Sequence, residues 1–253
     1  MKNQHDVNQQ QYQNKSEAYL KSTVHAQGIE FQKMQELVQQ NHYKHILDLG
    51  CGGGHVSYQI APFVEQVIAY DLTPEMVQVV EVEAQRKGLT HVVGHVGAAE
   101  HLAFGVDHFD CIISRYSAHH WQNVGQAMQE IHRVLTAKGK VIIFDIIGSS
   151  NPILDTFIQS IEMIRDPSHV RDYSLQEWMR FAEYAGFKIE AMEKQSLVLN
   201  FQSWVERMQT PPEAVETIRY LQSKVSDAVR NYYQIQADGT FTSEAMYLVL
   251  SKI

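Results

Sequence analysis

The chain has 253 residues, of which 44% are apolar and 20% charged, with a formal net charge of -8. This is the balance of a folded soluble chain with one substantial core, not of a disordered one. Acidic residues outnumber basic ones and no Lys/Arg cluster occurs, which argues against nucleic acid as partner, because phosphate neutralisation needs clustered cations.

Residues 1–14 are polar and glutamine-rich and are expected to be mobile; they do not resemble a signal peptide, and no apolar run could span a bilayer. A cytoplasmic protein without a membrane span is expected. Apolar spacing predicts helices near 15–22 and 28–40. Residues 46–50 then read as a first buried strand, followed by Gly50-Cys51-Gly52-Gly53-Gly54, a short helix over 55–61 and a stop at Pro62.

Strands are predicted at 66–71, 91–96, 109–114 and 140–147. Between them lie a helix opening at Thr73-Pro74 and closing at Gly88, and a helix over 123–135. Strand–helix alternation with short connections gives a doubly wound, mostly parallel α/β sheet with helices on both faces. Its ligands belong at the carboxyl ends of the strands, where Gly50, Asp71, Ser114, Arg115 and Asp145 fall. Helices at 153–165, 174–185, 201–209 and 213–232 and strands at 187–194 and 245–250 complete seven strands. The expected organisation is one domain over 1–253: a helical closing segment (1–42), a ligand-binding half (43–147), and a second half (148–253) with a helical lid insertion near 199–236. Cys51 and Cys111 are expected as buried thiols.

The glycine turn lacks the Gly-Lys-Ser/Thr ending of a phosphate loop, having Gly54-His55-Val56. His55 also stands where a dinucleotide fingerprint has its third glycine. A nucleoside without a pyrophosphate remains. On these residues the stretch Asp48-Leu49-Gly50-Cys51-Gly52-Gly53-Gly54 resembles the first motif of class I S-adenosylmethionine-dependent methyltransferases. Asp71, Gly97 to Phe104, Phe109-Asp110 and Arg133 to Lys140 resemble further landmarks over about 43–147. The flavour is that of the ubiquinone/menaquinone-biosynthesis C-methyltransferases and their small-molecule relatives.

The resemblance implies a Rossmann-like fold with an antiparallel last strand. It implies S-adenosyl-L-methionine as cofactor, with S-adenosyl-L-homocysteine as product, and methyl transfer by in-line displacement to a small, partly apolar molecule. The implied cofactor-binding residues are Asp48, Gly50, Cys51, Gly52, Asp71, Leu72, Ala98, Ala99, Glu100 and Ser114. Many relatives have an acid where this chain has Ala98, so backbone groups and Glu100 are expected to compensate.

A sulfonium donor is already activated. The protein then contributes approach geometry and exclusion of water, with a base only where the nucleophile is protonated. Arg115, His119 and His120 are the candidate catalytic residues. Tyr19, His25, Arg115, Arg165, His169, Arg171 and Tyr173 are candidates for the acceptor side. Each histidine has an equally plain structural reading, and no metal is expected, since His119 and His120 alone make a weak ligand pair. A monomer or homodimer is expected. A nucleic-acid or protein methyltransferase, and a cofactor-binding regulator without transfer, are the competing readings.

Overall fold

The computed structural model describes residues 2–13, 15, 20 and 28–253. Tyr19 and His25, and most of the helix expected over 15–22, lie outside the described residues.

Seven strands form one sheet in the order β3-β2-β1-β4-β5-β7-β6. They are β1 (His45–Leu49), β2 (Gln66–Asp71), β3 (Val92–Val96), β4 (Phe109–Arg115), β5 (Leu135–Ile147), β6 (Phe187–Leu199) and β7 (Phe241–Lys252). The first five pair in parallel, and β7 lies antiparallel between β5 and β6. This is the seven-stranded, mostly parallel fold expected.

Side-chain alternation divides the core. Ile46, Val67, Cys111, Ile113, Ile142 and Phe144 meet α2 (Ile29–Gln40), α3 (His55–Ile60) and α4 (Pro74–Arg86) on one face. Leu47, Leu49, Ile68, Ile112, Val141 and Ile143 meet α5 (Val124–Val134) and α7 (Leu175–Tyr184) on the other. A third cluster joins α6 (Pro152–Arg165) to α8 (Phe201–Met208), α9 (Pro212–Lys224) and α10 (Asp227–Tyr232), around buried Trp204 and Phe241. Among the described residues no helix is long and apolar enough to cross a membrane.

Three local readings are corrected. Residues Gln4–Tyr12 are not irregular: they form helix α1, started by a reciprocal capping box between Asn3 and Asp6. The fifth strand starts before residue 140: Leu135 caps helix α5, donating its N–H to the Ile131 carbonyl, and already pairs with Phe109 ahead of the register shift in β4. The apolar stripe over 213–232 belongs to two helices, because Val225 is extended and Ser226 caps α10 by accepting from the Val229 N–H.

Two landmark residues are structural pins. Asp110 accepts from the backbone N–H groups of Lys44 and His45, fixing the start of β1 beside β4. Arg133 forks onto Glu130 and donates to the carbonyls of Leu102 and Phe104, holding the loop after β3 in place.

Candidate active site

A cavity of about 320 Å³ lies at the carboxyl ends of β1, β2, β4 and β5, covered by α1 and by residues of the β6–α8 segment. Its floor is the glycine turn. Gly50 and Gly52 have φ of +76° and +49°, in the left-handed region that glycine enters without strain. A Cβ at Gly50 would overlap the Ser117 side chain, so the turn and the segment after β4 fit only with glycine there; a Cβ at Gly52 would meet nothing within 4 Å. The turn thus leaves open space beside the Gly52 backbone.

Asp71 ends β2 and locks this turn. Its Oδ2 accepts from the Gly52 N–H and its Oδ1 from the Thr73 N–H, both at 2.9 Å. Burial raises its pKa, opposed by these N–H donors. Each oxygen keeps a second lone pair for a donor from the cavity. Gly97, Ala98, Ala99 and Glu100 form the adjacent wall. Glu100 accepts from the Asn123 N–H at 2.9 Å and lies 3.3 Å from His5 Nε2 of α1, so its carboxylate is already engaged.

The opposite end is built by the chain after β4. Tyr116 has φ of +53°, uncommon for a large side chain, and this reversal turns the following segment across the strand ends. His119 Nδ1 is 2.6 Å from Asp145 Oδ1, and Asp145 Oδ2 accepts from the Ala118 N–H at 2.7 Å. Burial disfavours a charge on His119, but the Asp145 carboxylate outweighs it and lifts the imidazole to about 9. Nδ1 therefore donates to Asp145, and the ring lines the cavity.

His120 differs although it is adjacent. Burial, then the charge on His119, push it down to about 4. Its Nδ1 donates to the Ser168 carbonyl at 3.2 Å, and its Nε2 accepts from the Tyr12 hydroxyl at 2.8 Å; that hydroxyl is also 3.2 Å from Asp166 Oδ2. Gln4 reaches the Ser168 carbonyl and Gln9 the Leu72 carbonyl, so α1 is tied to both ends of the cavity.

Of the residues singled out in the sequence, Gly50, Gly52, Asp71, Leu72, Ala98, Ala99, Glu100, His119, His120 and Arg165 line this one cavity. Others do not. Asp48 is buried behind the turn, accepting from the Ser57 N–H and hydroxyl, and burial pushes it up to about 7. Cys51 faces a smaller space of about 50 Å³ behind the turn, and burial raises its thiol. The Ser114 hydroxyl is buried without a hydrogen-bond partner among the described residues.

Arg115 is directed away from the main cavity. It pairs with Glu30 of α2 at 2.6 Å, stacks on Phe31 and Tyr116, and borders the smaller space. The expectation that it meets the acceptor is corrected: a buried guanidinium takes the nearest carboxylate, and α2 supplies one. His169 donates from Nε2 to Gln159 Oε1 at 2.9 Å, and burial, then the two neighbouring histidines, push it down to about 2. Arg171 is paired with Asp155 and Glu177, and Tyr173 sits against Trp178 and Phe181. These three support the wall rather than form it.

The lining also includes Tyr12, from the closing segment expected over 1–42, and Ser117, Glu162, Asp172, Trp204 and Met208, which were not assigned to the site in the sequence. Asp145 carried one legible signal, an acid at a strand's carboxyl end like Asp71. Trp204 and Met208 fall within the helical lid insertion expected near 199–236, but nothing local marked these two side chains as lining the cavity, because only folding brings β6 and α8 over the sheet.

No cluster of His, Cys, Asp and Glu among the described residues could hold a metal. The features present do fit a nucleoside with a charged amino-acid tail: an open glycine backbone, a carboxylate with spare lone pairs beside it, and a wall of small side chains at Ala98-Ala99.

Fold and site together define a class I methyltransferase. Residues 47–143 match the Methyltransferase domain family. The uncharacterized protein YafE of Escherichia coli (strain K12) is 40% identical over 195 residues, covering 77% of this chain and 94% of that protein. The uncharacterized methyltransferase YcgJ of Bacillus subtilis (strain 168) is 33% identical over 229 residues, 90% of each chain. The YcgJ crystal structure aligns with a TM-score of 0.83 over 88% of this chain and 98% of that one, at 31% identity. Over a shorter stretch, 104 residues and 40% of this chain, UbiE of Blochmanniella pennsylvanica is 32% identical, covering 41% of its own length. The chain belongs to the methyltransferase domain family and is an S-adenosylmethionine-dependent methyltransferase.

Proposed function

We propose that this enzyme methylates a small, partly apolar molecule held between His119 and the lid formed by β6 and α8. The observation that carries this reading is the continuity of one cavity, from Gly50, Gly52 and Asp71 to His119, Trp204 and Met208. Its far end mixes apolar side chains (Leu197, Leu199, Trp204, Met208) with ionisable ones, and its volume of about 320 Å³ suits small molecules. The likeness to the ubiquinone/menaquinone biosynthesis C-methyltransferase UbiE spans 40% of the chain and leaves the acceptor class at "small molecule".

S-adenosylmethionine, when bound, supplies a methyl group already activated on a sulfonium. The protein's part is placement. The Gly50 and Gly52 backbone admits the amino-acid end, Asp71 accepts from the ribose hydroxyls, and the Ala98-Ala99 backbone meets the adenine, since Glu100 is held by Asn123 and His5. Asp145 orients His119 and keeps its ring protonated at neutral pH, so that the Nε2–H can donate to a polar group of the acceptor. Helix α1 shuts water out through Gln4, Gln9 and Tyr12.

The test has two stages. Calorimetry should show S-adenosylmethionine and S-adenosylhomocysteine binding, and incubation of a metabolite extract with methyl-labelled donor should yield a labelled small product. Label found only in protein or nucleic acid would refute the acceptor class.

A further inference from the structure

Asp172 is 1% exposed, borders the cavity, and its Oδ2 has no hydrogen-bond partner among the described residues. Its backbone, by contrast, is fully held. The N–H donates to Gln159 Oε1 at 3.0 Å, and the carbonyl accepts from Gln159 Nε2 at 2.8 Å. The carboxyl is therefore kept in place by its main chain and not by bonds of its own. A buried polar atom left in this state calls for a ligand or an explanation.

The surrounding charges say which ligand. His119 and Arg165 are the cations that act on Asp172, and each already has an acid of its own. His119 is matched by Asp145 at 2.6 Å, and Arg165 by Glu162 at 2.9 Å. Asp166 is engaged with the Ser168 N–H and hydroxyl, at 2.9 and 2.6 Å. Asp172 is the acid left without a counter-ion, and burial, then the charges of Glu162 and Asp145, raise its carboxyl well above the usual range. An anionic head group would meet three more carboxylates here. A cation would complete the set.

Resting on the reading of this cavity as the acceptor site, we infer that Asp172 recognises a cationic, hydrogen-bond-donating head group, so that the acceptor is an amphiphilic amine. Its apolar body lies against Leu197, Leu199, Trp204 and Met208, which border the same cavity. On binding, the ammonium N–H donates to Oδ2.

Three probes with one apolar body test this: 2-phenylethylamine, 2-phenylethanol and phenylacetate, titrated calorimetrically into the full chain saturated with S-adenosylhomocysteine at pH 7. The amine should bind about 10-fold tighter than the alcohol, with phenylacetate weakest. Asp172→Asn should bring the amine to the level of the alcohol while S-adenosylhomocysteine affinity is retained. Asp172→Ser should do the same if the amide variant is poorly folded. Tightest binding of phenylacetate, an amine preference that survives both substitutions, or no probe binding while S-adenosylhomocysteine binds would each overturn the inference. Failure of S-adenosylhomocysteine itself to bind would instead overturn the assignment of the donor site.

Discussion

His119 Nδ1 lies 2.6 Å from Asp145 Oδ1, joining the segment after β4 to the end of β5 across neighbouring strands. This one bond reverses the effect of burial on the imidazole, which by itself would lower its pKa. The wild-type ring should titrate near pH 9 in imidazole-detected NMR. In Asp145→Asn the largest opposition to desolvation is lost, leaving only the smaller pull of Asp172 and Glu162, and the titration should fall well below that of the wild type. An unchanged midpoint would break the proposed pairing. Because the folded value is raised, the bond's stabilising contribution is complete below pH ~6.5 and is lost as pH rises through about 9, so the variant should lose more stability at pH 6 than at pH 10.

Asp71 accepts from the glycine turn and offers its remaining lone pairs to the cavity. Asp71→Ala should weaken S-adenosylhomocysteine binding by roughly 10- to 100-fold, the value of one or two charge-assisted hydrogen bonds. Titration calorimetry on the two proteins checks this, and equal affinities would remove the ribose assignment.

Gly50 and Gly52 separate a folding requirement from a binding requirement. Gly50→Ala combines a positive φ with overlap onto Ser117 and should cost about 2–5 kcal/mol of stability by denaturant unfolding. Gly52→Ala meets open space and should cost only about 1–2 kcal/mol for its φ. Its methyl group would occupy the side from which the cofactor approaches, so its larger effect should be on S-adenosylhomocysteine affinity.

His169 is buried, donates to Gln159 and is pushed down to about 2. Its folded value is below its unfolded one, so the unfolded chain binds a proton below about pH 6.5 that the folded chain refuses. Stability should therefore fall between pH 7 and pH 5. His169→Asn, which cannot take up this proton, should show a shallower loss of Tm over that interval than the wild type, although it starts from a lower Tm at pH 7. Parallel slopes would show that His169 is not buried in its neutral form.

The sheet was legible because its signals are local. A buried parallel strand is a mainly apolar run, as in Val141 to Phe144, or Ile46, Leu47 and Leu49 around the one acid Asp48; β1, β2 and β4 fall at the expected places, and β5 contains its expected residues. The turn was legible for a similar reason: Gly50 and Gly52 are needed for backbone conformations that few other residues adopt. Helix α1 was missed because it has almost no apolar face; its ends are set by a capping box and its position by Gln4, Gln9 and Tyr12 reaching distant carbonyls and side chains.

Residue type and spacing alone determined the class of fold, the glycine turn, the acid at Asp71 and the histidines after β4. They could not determine which polar residues face one another. Arg115 and His119 are near neighbours in sequence, yet one is consumed by Glu30 and the other is raised by Asp145, from elements far away in the chain. Asp172 and Asp166 are likewise close, but only Asp166 finds donors. The state of a buried charge is set by desolvation and by the partner within a few ångströms, and both are properties of the tertiary structure.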